Sequence, residues 1–512
     1  MVTILESDLT ESERADVIVV GSGPTGAAFA RSVADAWPSA RIVMVEAGPQ
    51  VSTPPGGHVF NIRDPERQRA AEIESQGPRR GVPYEPITEA EWRQRIAGEQ
   101  DGAMLRRPGL FAVGNGSPDG DGFPAGHAAS NVGGMGAHWF GGCPRPALAE
   151  RVPFIEPETM EHALDEAASM LRSSADHYPN SPVAALLERK LGALFNAGRP
   201  ADRIVQPMPM AMVRTPDGMI KTSSDTILGD LLNAPSDRFE LRADTVCRRV
   251  LLEDGRATGI EAFDVKTGET YVLNADAVVV AADALHTPQV LHASGVRLPA
   301  LGHYLNEHLQ VSLMAEIDEV ERSSSVDAEV TWVPCVGESF PYSITITRPV
   351  AAMLPFGTPG TDPGKPIIFI SLFSAADLQF DNRVSFSETE RDWRGLPALV
   401  TRMRPSEDDL QRIERAKSIV VDIANAVGRP LPGVKFMRPP YGSSLHYQGT
   451  TRMGSVDDGT SVCDRDSRVW GYENLYVAGN GVIPTVTATN PTLTSVAFAI
   501  LGGRALSASQ AG

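Results

Sequence analysis

The 512-residue chain has only four cysteines, Cys143, Cys247, Cys335 and Cys463, with no C-x-x-C pair and no histidines grouped with them at metal-ligand spacing. That scarcity argues against a disulfide framework or a structural zinc site, and no metal is expected. Positive charge is short as well: 46 Lys and Arg stand against 64 Asp and Glu, for a net charge of -18. Nucleic-acid binding needs clustered positive charge, so the acidity reads as solubility instead. No apolar run reaches the ~20 residues needed to span a bilayer. The opening "MVTILESDLTESERAD" also lacks the basic, apolar and small-residue order of a signal peptide. A cytoplasmic protein without a membrane partner is the expectation. Internal repeats and low-complexity tails are absent too.

With 42% hydrophobic and 21% charged residues, the chain has material for two closely packed domains. It begins with a strand, "ADVIVV", a tight turn, "GSGPTG", and an alanine-rich helix, "AAFARSVADA". Gly21, Gly23 and Gly26 form G-x-G-x-x-G across that junction. The first permits the turn, the second lets backbone approach a pyrophosphate, and the third lets helix pack on strand. The helix N-terminus supplies amide donors and partial positive charge for phosphates. Glu46 ends the next strand, "ARIVMVEAG", where it suits the ribose hydroxyls of an adenosine. These features point to dinucleotide binding without choosing between NAD and FAD.

Residues 51–105 are polar and punctuated by Pro and Gly, too long for an ordinary connection, and read as an insertion serving as lid or oligomer contact. Short strands follow from about 203 to 295, with a turn at Asp254-Gly255 and a strand-to-helix unit in "ADAVVVAADALHTPQVLHASG". From about 311 to 403 alternating or apolar segments predict a mostly antiparallel sheet with one covered face. A helix is predicted after Ser406, boxed by Asp409, with a stripe of Leu410, Ile413, Ile419, Ile423 and Val427 and an end at Gly428 and Pro430. The Pro/Gly-rich stretch around Met353 to Pro363 is a candidate substrate lid.

In order, "VIVVGSGPTGAA", "NVGGMGAHW", "VVVAADALHTPQVLHASG", "LGHYLNEHLQ", "HYQGTTRMG" and "NPTLT" resemble the glucose-methanol-choline family of FAD oxidoreductases over most of the chain. The wording of "VGGMGAHW" and of "GNGVIPT" with "NPTLT" is most similar to pyranose oxidases and to bacterial relatives that oxidise glycosides at C3. The resemblance implies an α/β fold, with a Rossmann-like FAD-binding domain and a second domain on a mostly antiparallel sheet plus helices. Residues 1–50, 106–150, 203–310 and 441–512 would form the first, and 151–202 with 311–440 the second, which would bind the substrate. It implies flavin contacts from Gly133, Gly134, Met135, His138, Val246, Ala281, Gly479, Asn480, Pro491 and Thr492. In fungal pyranose oxidases a Thr-His-Trp-Thr histidine bonds covalently to the flavin. Here the stretch reads Ala137-His138-Trp139-Phe140, so both threonines are absent and the link stays open.

Alcohol oxidation needs a base for the hydroxyl proton, and neutral imidazole suits that role near pH 7. Of ten histidines, His162 and His177 read as exposed and helical, and His286 and His292 as structural. The resemblance makes His303 and His308, in "GHYLNEHLQ", candidate cavity residues. The resemblance places His446 as the base and Asn490 as its partner on the same oxygen. Asn490 also reads as an N-cap ahead of Pro491. The implied substrate is a sugar or glycoside, oxidised at C3 or otherwise C2 and including aryl glycosides, with Asn306, Gln310, Glu338 and Gln379 as unranked polyol contacts. Oxygen or a quinone would accept the electrons. A dehydrogenase or small-alcohol oxidase of the same fold, and a non-enzymatic dinucleotide-scaffold protein, stay open as alternatives. The oligomeric state is not read.

Overall fold

Four consecutive β-branched residues, Val17 to Val20, are all buried, as a strand covered on both faces requires. They belong to β1 (Arg14–Val20), which leads through the glycine turn into α1 (Pro24–Ala36) and β2 (Ile42–Val45). The computed structural model describes residues 13–77, 100–101, 109–113, 122–177, 181–216, 218–321, 330–348, 362, 364–431 and 436–510. β3 (Phe239–Arg242), β4 (Thr245–Glu253), β5 (Arg256–Asp264) and β6 (Thr270–Val280) follow, and α2 (Asp283–Ala293) leaves the end of β6. The order is β3-β2-β1-β6-β5-β4. The β3, β2, β1 and β6 pairings are parallel, with Val20 level with Val45 on one side and Val280 on the other. β4 and β5 add an antiparallel hairpin turned at Asp254-Gly255.

A second, eight-stranded sheet is mostly antiparallel. Its centre is β7 (Leu309–Ile317), β8 (Val330–Val333), β9 (Tyr342–Thr347) and β10 (Ile367–Ser374), in the order β7-β10-β9-β8. β11 (Arg383–Arg391) and β12 (Pro397–Arg402) form a separate two-stranded hairpin. α3 (Glu407–Val427) carries the expected capping box of Ser406 and Asp409. Its buried face is Ile413, Ala416, Val420, Ile423, Ala424 and Val427, whereas Leu410 is exposed. Small alanines let this helix lie close on the sheet, a contact that a stripe of large residues does not reveal. Gly428 is extended rather than left-handed and opens β13 (Gly428–Pro430), which pairs with β7. A β-carbon there would lie 2.0 Å from the Glu316 carbonyl oxygen, so the close strand approach explains the glycine.

The chain then returns to the first sheet. β14 (Leu475–Val477) pairs in parallel with the last residues of β6, and α4 (Thr492–Gln510) packs on α1. Gly502 and Gly503 make that approach possible, since β-carbons there would press on Phe29 and Ser32. The fold is therefore α/β, a Rossmann-like parallel sheet beside a mostly antiparallel one. No helix among the described residues is long and apolar enough to cross a membrane. The 353–363 stretch lies outside the described residues, apart from Asp362. So do the 78–99 and 102–105 parts of the expected insertion.

Candidate active site

At the end of β1, Gly21 has φ +102°, and a β-carbon would sit 2.4 Å from the Ala281 carbonyl oxygen. Gly26 is as tight, 2.1 Å from the Gly21 carbonyl oxygen, whereas a β-carbon on Gly23 meets nothing within 4 Å. α1 has no side-chain cap, so its first amides are not used by a capping group. Glu46 is buried and accepts from Ser22 N (3.1 Å), Ser22 Oγ (2.7 Å) and Gly48 N (3.1 Å). Burial raises its pKa against those hydrogen bonds. A cavity of about 280 Å³ starts here, passes Val246, Ala281, Gly479 and Asn480, and ends at His446 and Asn490.

The 131–139 loop forms one wall with Gly134, Met135 and Trp139. Gly133 instead backs onto Gly56 and donates its N–H to Ser22 Oγ (2.9 Å). His138 is not brought to the cavity: its Nε2 donates to Asn131 Oδ1 (3.1 Å) and its ring packs on Gly109. Burial lowers its pKa to about 4. His58 is buried beneath the same loop, Nε2 donating to the Trp139 carbonyl (2.9 Å) and Nδ1 accepting from Phe60 N (3.0 Å). Burial, aided by Lys221, pushes it down to about 3.

Both rings are neutral when folded but take up protons below pH ~6.5 when unfolded. The unfolded chain then binds more protons, so stability falls as pH drops from about 6.5 toward 4, by about 1.4 kcal/mol per pH unit for each histidine. Melting temperatures measured across that range should be level above neutrality and decline below it. His138→Gln, which keeps a donor for Asn131, should remove one histidine's share of the slope; an unchanged slope would contradict this account.

At the other end, His446 Nε2 lies 3.1 Å from Asn490 Nδ2, and His446 Nδ1 lies 2.9 Å from His308 Nδ1. His308 Nε2 meets Thr487 Oγ1 (3.0 Å), which donates to Gln448 Oε1 (3.1 Å). Burial and the adjacent His446 hold His308 well below the usual histidine range. One neutral arrangement satisfies the chain: His308 carries its proton on Nε2, and His446 carries its proton on Nδ1, donating to His308 and leaving Nε2 as an acceptor. Asn490 does not cap α4, which begins at Thr492; its side chain turns to His446. Its buried Oδ1 has no partner among the described residues. Glu150, itself buried, fixes the approach by accepting from Ala488 N (2.6 Å), Thr489 N (2.9 Å) and Thr489 Oγ1 (2.7 Å). Thr492 lines the cavity, and Pro491 does not.

Of the other histidines only His127 and His286 line the cavity, His127 with its Nδ1 against the Ala125 carbonyl (2.6 Å). His177 is buried and bonded to the Met208 carbonyl (2.7 Å), not exposed on a helix. His162 is exposed, and His292 packs against Phe386. His286 pairs with Asp283 (2.8 Å) on the cavity wall, and His303 stacks on Phe380. Asn306 spends its amide on the Ala376 and Asp377 carbonyls, and Gln310 its own on Ser312 and Ser371. Gln379 bonds the Arg404 carbonyl and Glu338 is exposed, so none of the four lines this cavity. Arg394 lines it unanticipated, from the turn between β11 and β12.

Sequence profiles of the GMC oxidoreductase family match residues 159–310 and 379–499. The chain is similar to the C-glycoside 3-oxidase of Arthrobacter globiformis, at 42% identity over 96% of this chain and 94% of that one. It is 29% identical to the pyranose 2-oxidase of Tricholoma matsutake, over 98% of this chain and 96% of that protein. In fold it matches the crystal structure of pyridoxine 4-oxidase from Mesorbium loti, with a TM-score of 0.64 at 17% identity over 96% of this chain and 99% of that one. With 96% of its length aligned to the Arthrobacter globiformis enzyme at 42% identity, the chain belongs to the GMC oxidoreductase family.

Proposed function

We propose that this protein is an FAD-dependent oxidase that converts a ring hydroxyl of a pyranose sugar or glycoside to a ketone, at C3 in preference to C2. The observation that carries the reading is the His446–Asn490 pair, 3.1 Å apart, at the far end of the cavity that begins at the glycine turn. The residues suit FAD: open space over Gly23, uncapped amides at α1, Glu46 at one end and the unpartnered Asn490 Oδ1 at the other. The names of the relatives favour C3. A non-covalent flavin is the reading, because the His138 ring faces Asn131.

When bound, FAD supplies a two-electron acceptor for the hydride released from the carbinol carbon. The chain's own work is proton handling and placement. An incoming hydroxyl replaces the Asn490 amide at His446 Nε2 and gives its proton to that nitrogen, while Asn490 Nδ2 donates to the substrate oxygen. His308 holds the His446 tautomer in which Nε2 is the acceptor. Oxygen as final acceptor gives hydrogen peroxide, whereas a quinone-type acceptor would leave none, so peroxide yield under air separates the two.

Purified protein should be yellow, should lose that colour anaerobically on adding glucose or an aryl glucoside, and should release its flavin on denaturation. Faster bleaching by the aryl glucoside is expected. A colourless protein, or a yellow one that no sugar or glycoside bleaches, would overturn the reading.

A further inference from the structure

The turn between β11 and β12 reads "RDWRG" and places one cation on the wall of the cavity. Arg394 is 9% exposed, near the nucleotide end that Glu46, Val246 and Ala281 also line. Among the described residues its guanidinium makes no hydrogen bond within 3.5 Å, and its ion pair, with Asp392, spans 3.6 Å. The nearby carboxylates are engaged elsewhere. Glu46 serves Ser22 and Gly48, and Asp283 serves His286 and the amides of its own helix start. Asp392 accepts from Arg394 N (2.9 Å), Leu396 N (3.1 Å) and Gln289 Nε2 (3.0 Å).

The guanidinium instead lies against aromatic rings, its central carbon 4.4 Å from the Trp393 centroid and 5.6 Å from that of Phe111. Such stacking orients the group without using its N–H donors. The turn is braced: Gln289 Nε2 also donates to the Pro397 carbonyl (2.8 Å), Gly395 takes φ +79°, and Gly77 lies beneath the Trp393 ring. A buried charge with open donors is expensive to keep unless an acceptor comes to it. The space beside it is the nucleotide end of the cavity, and the acceptor chemistry that belongs there is the phosphate and ribose oxygen of an adenosine diphosphate.

We propose that Arg394 is a cofactor-holding residue that binds the ADP half of the flavin nucleotide, so that the cofactor ties the β11–β12 hairpin to the Rossmann-like sheet. This rests on the reading of the cavity as the FAD site. It adds that a hairpin within 311–440, the stretch assigned from sequence to the substrate side, reaches the nucleotide.

The test compares wild type, Arg394→Gln and Arg394→Lys as purified holoenzymes, reading flavin release by fluorescence after dilution and the visible band of the flavin still bound. Arg394→Gln should release FAD roughly tenfold to a hundredfold faster, the range for losing hydrogen bonds to a charged group, with the lysine variant between. The visible band should keep its shape, because the isoalloxazine would sit toward His446 and Asn490, away from this end. Release at the wild-type rate would overturn the proposal, and faster release with a shifted band would assign Arg394 to packing and overturn it too. If the glutamine variant does not fold, the lysine variant decides by the same rate comparison. A colourless wild type would sink the flavin reading itself, a result distinct from a yellow protein indifferent to position 394.

Discussion

His446→Ala is expected to slow anaerobic flavin reduction by about 100-fold to 10,000-fold, the range for losing a positioned general base, while the protein stays yellow. The size follows from the absence of a substitute. His308 is the nearest other imidazole, but it is buried, its Nδ1 points at His446 and its Nε2 is held by Thr487. With its pKa held well below the usual range, it stays neutral and does not take over the proton. Leu445, just before His446, sits at φ +60°, a conformation that a side chain disfavours and that the surrounding turn must hold. His308→Asn should act more mildly, about tenfold, because it works through His446. Its signature would be an altered pH dependence of flavin reduction, which a purely structural residue would not give. A His446→Ala protein that reduces at the wild-type rate, or that loses its flavin, would return His446 to a packing role.

Local features are legible in the sequence, and features made by chain return are not. The glycine turn, Glu46 and the Ser406 capping box depend on residues within one strand-turn-helix unit, where spacing dictates geometry. His446 and Asn490 are 44 positions apart and meet where Glu150 holds the 488–489 backbone, a contact no periodicity announces. β9 goes unread because Ser343 and Thr345 fall on buried positions of "YSITIT"; Ser343 accepts from Trp332 Nε1 (2.9 Å), so polar residues fill core sites. His177 looks solvent-facing in a polar stretch, yet the Met208 carbonyl satisfies it in the interior. Arg394 is hidden for a related reason. An Asp-to-Gly turn signals a loop, and nothing in its pattern tells which residue points inward.

Single methyl additions within the glycine turn are expected to divide cleanly between cofactor loss and loss of the fold. Gly23→Ala should leave the melting temperature of flavin-free protein unchanged, since the new β-carbon meets nothing within 4 Å. That empty space is where phosphate oxygens would approach the uncapped amides of α1. Weakening two or more such contacts should lower FAD affinity by roughly tenfold to a hundredfold. Gly26→Ala differs in kind, because its β-carbon would lie 2.1 Å from the Gly21 carbonyl oxygen. That oxygen is backbone, held where Gly21 crosses Ala281, and cannot swing aside. Either α1 moves off β1 or the turn reopens, at about 1–3 kcal/mol or more. Gly26→Ala should therefore melt several degrees lower even without flavin, and its flavin content should fall as a consequence. Flavin titration alone would not separate the two variants, but flavin titration and flavin-free melting together do. If Gly26→Ala melted like wild type, the turn would be softer than its geometry indicates; if Gly23→Ala bound FAD normally, the phosphates would have to lie away from α1.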